Sequence, residues 1–218
     1  MKRAGLLLLV WIVWWCAANA PLSRAMNLAI VFGGVLLAIP VAWLGRRRLA
    51  RPRSASGIAW TTTFVHFALG FAFGVPIVLA IGTYRSWPGP VLPVPSGIGV
   101  ALVILTGAAC LLTIANLALR GLGAPFFIAL SRKVATDWMY AWTRNPMVLA
   151  GLALLVSLGL WFQSALFVLW AICLFAPALL AFVKLYEERE LELRFGASYR
   201  DYKSRTPMLL PRRPRPIV

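Results

Sequence analysis

The stretch that decides the fold is VLAGLALLVSLGLWFQSALFVLWAICLFAPALLAFV, residues 148–183, which carries no charge. It is too long for one crossing of a hydrocarbon core about 30 Å thick and right for two short ones joined by a tight turn. Gln163 and Ser164, after Trp161 and Phe162, are the polar break where that turn belongs. An up-and-down hairpin returns to the face it left. Tyr140-Ala141-Trp142-Thr143-Arg144-Asn145-Pro146-Met147 precedes it and Glu187-Glu188-Arg189-Glu190-Leu191 follows it, so Arg144 and Glu187 are expected at one membrane face. A cation and paired carboxylates at the mouth of a bundle suit a charged or zwitterionic ligand.

Composition agrees with a membrane protein. Hydrophobic residues make up 61% of the 218, and mean hydropathy is +0.82. The net charge of +16 is read as topogenic, because the basic residues flank apolar runs; a nucleic-acid partner is not expected. Cys16, Cys110 and Cys173 lie far apart inside apolar stretches, without the spacing of metal ligands or of a disulfide framework.

Outward from the hairpin, four more apolar runs precede it: residues 5–20, 25–45, 58–82 and 97–119. The first resembles a signal peptide, but Pro21 directly after Ala18-Asn19-Ala20 argues against cleavage, and we read it as a span. Arg46, Arg47 and Arg48 stop the second. Pro88, Pro90, Pro93 and Pro95 make the segment before the fourth a stiff extended loop. The expectation is an all-α polytopic bundle of about six spans, with four spans in residues 1–119 and a separate functional region in 120–218. With six spans, twenty basic residues fall on one side and only Arg24 and Arg85 on the other. Basic residues stay cytoplasmic, which places both termini in the cytoplasm, in the inner membrane of a bacterium. All six acidic residues fall on the same side.

The ordered pieces Gly121-Leu122-Gly123-Ala124-Pro125, Arg144-Asn145-Pro146-Met147-Val148, Glu187-Glu188-Arg189-Glu190-Leu191 and Phe195-Gly196-Ala197-Ser198-Tyr199-Arg200-Asp201-Tyr202, closed by Pro207 or Pro211, carry a resemblance. Together they resemble the C-terminal half of the isoprenylcysteine carboxyl methyltransferase and phospholipid methyltransferase superfamily. Two positions depart from that pattern: Val148 where Tyr is usual, and Trp138 where Gly is usual. The resemblance implies an integral membrane methyltransferase that uses S-adenosylmethionine on a lipophilic acceptor drawn from the bilayer.

On that reading Arg144, Glu187 and Glu188 are the catalytic candidates. The cofactor set is Tyr140, Trp142, Thr143, Arg144, Asn145, Pro146, Leu149, Glu187 and Glu188, with no metal. Arg144 offers a bidentate fork to the cofactor carboxylate or, alternatively, to an acidic acceptor. Free N–H groups at the start of the fifth span favour an anion in either role. Glu187 or Glu188 accepts from ribose hydroxyls or the cofactor amine, while Tyr140, Trp142 and Leu149 wall the adenine. Methyl transfer to a carboxylate or thiolate needs no strong base, so positioning suffices.

Plainer readings exist for each residue. Asn145 and Pro146 suit an N-cap and first turn, and Lys184 and Glu188 suit an i,i+4 pair. Gly196 reads as a helix stop, and Tyr199 and Tyr202 are expected to fold back as a lid. His66, the sole histidine, lies in the third span near Thr63 and is expected to be satisfied by a helix-to-helix hydrogen bond. The competing reading of the whole chain is a non-enzymatic membrane protein, a small transporter or accessory subunit.

Overall fold

The computed structural model describes residues 2–51, 54–119 and 133–214. Gly121–Pro125, expected as an entry motif, lies outside the described residues. Among them the regular secondary structure is helical, with no strand. The elements are α1 (Lys2–Asn19), α2 (Arg24–Leu36), α3 (Ala38–Leu49), α4 (Ala55–Thr83), α5 (Ser96–Leu119), α6 (Met139–Trp142) and α7 (Pro146–Trp161). A long last helix, α8 (Ala165–Phe195), and a short α9 (Ala197–Arg205) complete them.

Among the described residues, four helical stretches are long and apolar enough to cross a membrane: Arg24–Leu49, Ala55–Ser86, Ser96–Leu117 and Ala165–Phe195. Two shorter apolar helices, Gly5–Asn19 and Pro146–Trp161, take the places of the expected first and fifth spans. The protein is therefore an integral membrane α-bundle. Serine side chains cap the second, fourth and last helices: Ser23, Ser54 and Ser164 accept from Met26, Gly57 and Phe167.

The turn falls where the polar break lies. Gln163 takes a positive φ of 56° between α7 and α8, and the proline-rich loop clasps it. Leu92 N–H donates to Gln163 O at 2.8 Å, Ala165 N–H to Pro90 O at 3.3 Å, and Gln163 Nε2 to Val94 O at 2.7 Å. Beneath the turn, Trp87, Phe167, Trp170 and Phe175 pack with Val31, Val35 and Leu155 in one buried cluster. Trp170 Nε1 donates to Val31 O at 3.0 Å, which satisfies the indole in an apolar setting.

A second buried cluster lies toward the other membrane face. It joins Ala38 and Ala42 of α3, Val65 and Leu69 of α4, and Phe182, Val183 and Tyr186 of α8. Gly45 makes this approach possible: a Cβ there would stand 2.7 Å from both the Tyr186 ring and Val65. Helices α1, α2 and α3 pack around α4, α5 packs along α7, and α8 packs closely on α7 in the half nearest the turn. Toward the opposite face α7 and the last helix are joined chiefly through polar groups. His66 differs from expectation, since its Nδ1 lies 2.9 Å from the Thr62 carbonyl one turn back in its own helix.

Candidate functional site

At that face, two features of local sequence shape the mouth. Helix α8 contains a π-type segment at Val183–Glu187, where one extra residue widens the turn. It turns Tyr186, Glu188 and Glu190 to buried positions and leaves Glu187 half-buried. Gly196 then stops the helix at φ 56°, ψ −124°. Only glycine visits that region easily, and α9 consequently folds back across the mouth.

Arg144 and Glu188 meet, as the hairpin requires. Arg144 Nη1 lies 2.6 Å from Glu188 Oε1, with both side chains about nine-tenths buried. The second carboxylate oxygen, Oε2, lies 2.6 Å from Lys203 Nζ, and Lys203 also reaches Glu192 Oε1 at 3.0 Å. Glu188 thus ties α7's entry, the last span and α9 together. The Lys184–Glu188 pair of the plainer reading is not formed; α9 brings Lys203 to that carboxylate instead. Burial works against the Lys203 ammonium, but the bonds to Glu188 and Glu192 prevail and its pKa lies above the ordinary lysine value.

The tail completes the site. Arg144 Nε donates to Thr206 O at 3.0 Å, and Nη1 to Tyr199 Oη at 3.4 Å. Arg144 N–H donates to Pro207 O at 2.9 Å. Tyr202 Oη donates to Tyr140 O at 2.7 Å. Both tail tyrosines are buried, so the fold-back expected of them is present. Burial pushes the Tyr199 phenol up to about 12, and raises Tyr140 and Tyr202 as well. All three phenols are neutral at physiological pH.

The other candidates divide. Thr143 Oγ1 and Asn145 Nδ2 both donate to Met208 O, at 3.2 and 2.9 Å. Asn145 occupies the N-cap position of α7 but makes no side-chain cap bond there; the tail carbonyl is the better partner. Pro146 starts α7 as expected, and Leu149 lies half-buried one turn into it. Tyr140 is buried, whereas Trp142 is 48% exposed, its carbonyl accepting from Arg212 N–H.

Glu187 stands apart: among the described residues its carboxylate has no hydrogen bond or ion pair. It lies within electrostatic reach of Tyr140 and Tyr199. Arg144 Nη2 likewise makes no hydrogen bond among the described residues. The Glu187 carboxylate and the Arg144 Nη2 group are therefore left unengaged at this end of the bundle.

Sequence reasoning missed Lys203 and the carbonyls of Thr206, Pro207 and Met208. Lys203 follows Tyr202 on α9 and was readable as part of that helix, but its partner was not. Backbone carbonyls carry no sequence signal at all.

Trp138 explains one departure from the family pattern. Its φ of 56° and ψ of −126° reproduce the backbone of Gly196 almost to the degree. The position demands a glycine conformation and holds a tryptophan.

A helical membrane bundle with a charged, tail-covered mouth can hold a charged ligand at the membrane boundary. Residues 95–198 match the family model for phospholipid methyltransferase. Over this region, which runs from the start of α5 into α9, the chain is similar to that family of integral membrane methyltransferases. No curated protein and no solved structure matches the chain.

Proposed function

We propose that the protein is an S-adenosylmethionine-dependent methyltransferase whose acceptor is lipophilic: an isoprenylcysteine-like carboxylate, a lipid or a thiol. One observation carries this reading. Glu187 leaves a half-buried carboxylate without a partner at the same end of the bundle as Arg144, whose Nη2 donors are also unengaged among the described residues. A carboxylate at a membrane boundary is costly unless a ligand or solvent compensates it, and the pair complements a zwitterion carrying one ammonium and one carboxylate.

Glu187 would take the cofactor amine or ribose hydroxyls, and Arg144 Nη2 its carboxylate. Tyr140 and Leu149 would wall the adenine. Thr143, Asn145 and Pro146 would hold the loop that carries Arg144, and Glu188 would hold Arg144 itself. Glu188 is thus a positioning residue. The cofactor supplies an electrophilic methyl group, and the chain's residues supply orientation and exclusion of water. The α9 lid closes the mouth from the aqueous side, so a lipophilic acceptor would enter laterally beside α7.

We assign both termini and the site to the cytoplasmic face of a bacterial inner membrane, from the distribution of basic residues. Residues 120–218 would form the methyltransferase-like catalytic region and 1–119 its four-span scaffold. Titration calorimetry of the detergent-purified chain with S-adenosylhomocysteine tests the reading. Saturable one-to-one binding that weakens in Glu187→Gln is expected; absence of binding by the folded wild type overturns it. The non-enzymatic alternative is favoured by one observation: Arg144 already bonds Glu188, Tyr199 and Thr206, as a purely structural clamp does. Unchanged affinity in a folded Arg144→Ala points to that alternative.

A further inference from the structure

Behind Glu188, on the flank of α8 away from Arg144, lies an open cleft of about 330 Å³. Arg46 of α3, Lys184, Arg189, Glu188 and Glu192 of α8, and Lys203 of α9 line it. Four cations therefore face two carboxylates. The carboxylates are already engaged: Glu188 with Arg144 and Lys203, Glu192 with Lys203 and, at 3.6 Å, with Arg189. Lys184 has no hydrogen bond or ion pair among the described residues. Arg46 donates one Nη1 bond to Leu185 O at 3.2 Å and keeps its remaining donors. Two cations from two different spans are left without a counter-charge.

Their depth says what compensates them. Lys184 is the first charge after the apolar run 148–183, and Arg46 opens the arginine run that ends the α2–α3 span. Both sit at the level where hydrocarbon gives way to headgroups. Below the cleft, Trp43 and Leu44 are exposed, 45% and 55%, as an apolar flank. Arg47 stacks 3.5 Å above the Trp43 ring and holds it at the interface. A soluble phosphate has no use for that flank, whereas acyl chains do.

We propose that this cleft is a binding site for the headgroup phosphate of an anionic phospholipid in the same leaflet, with Lys184 and Arg46 as its two ligands and the acyl chains along Trp43 and Leu44. The lipid bridges α3 and the last span on the side opposite the Arg144 contact. The site is independent of the methyl-transfer reading, and its test has no activity readout.

The test is native mass spectrometry of the full chain in detergent, titrated with dihexanoyl phosphatidylglycerol, dihexanoyl phosphatidylcholine or inorganic phosphate. Two basic residues near an anionic headgroup give an expected preference of about thirtyfold for the glycerol lipid over the choline lipid. The Arg46→Gln/Lys184→Gln variant should lower the preference to within about threefold, while Arg200→Gln, on the exposed tail, should retain it. Should the double variant not fold, Lys184→Gln alone leaves the Arg46–Leu185 contact intact and should lower the preference about fivefold. Equal binding of the two lipids overturns the proposal, as does a preference that survives these substitutions. Inorganic phosphate binding as tightly as the glycerol lipid assigns the cleft to a soluble anion and overturns the lipid.

Discussion

The two ends of the α7–α8 hairpin are built from opposite materials. At the turn, Phe162 stacks on Tyr84 at 3.8 Å, Trp87, Phe167 and Trp170 pack edge and face, and backbone bonds from the proline-rich loop seal the strand of chain between the helices. At the mouth, Glu188, Arg144 and Lys203 join the elements through charge, and tail carbonyls provide the rest. An apolar seal is stable, non-directional and leaves no group for chemistry. A charged junction is directional, costs desolvation and leaves donors and acceptors that a ligand can use. The closed end fixes the angle of the hairpin, and the polar end exploits the gap this angle leaves.

The sharpest way to break that contrast is at the seal. Trp170→Ala removes a fully buried indole and its bond to Val31, and should destabilise the fold by about 3–5 kcal/mol. Chemical unfolding in detergent measures it, and a loss below about 1 kcal/mol would show the turn cluster to be dispensable.

Truncation after Gly196 strips the mouth of Tyr199, Tyr202, Lys203 and the three tail carbonyls while leaving the seal whole. Affinity for S-adenosylhomocysteine should fall by about a hundredfold or more with the spans still folded by circular dichroism. Undiminished binding would mean that α9 is no lid.

The neighbouring glutamates separate structure from binding within the mouth. Glu188→Gln weakens a buried junction with two cations, so stability should drop by about 3 kcal/mol. Glu187→Gln has no partner to lose and removes an uncompensated charge, so it should raise the thermal midpoint, while cofactor-product affinity falls roughly ten- to a hundredfold. Reversed phenotypes would exchange the two roles.

The smallest effect is expected at Trp138. Relaxing its positive φ with Trp138→Gly should stabilise the chain by about 1 kcal/mol, read as a rise in the unfolding midpoint. A fall would mean that the indole's own packing outweighs the backbone strain.

Much of this was legible in the chain. Residues 148–183 had to form a hairpin because an uncharged run of that length has only one way to meet two water interfaces. Gln163 and Ser164 had to be its turn, and Arg144 had to return to the face that carries Glu187 and Glu188, though not to Glu188 in particular. These follow from hydropathy and length, which are local sums over residues. The partner of Glu188 was not legible. Lys184 lies one helical turn away and Lys203 lies across a glycine break, and only the fold-back at Gly196 decides between them. The same holds for Asn145, whose side chain leaves its own helix for Met208, and for the π segment that sets Glu187 apart from Glu188. Hydrogen-bond choice depends on distances between elements far apart in sequence, and those distances exist only once the helices have packed.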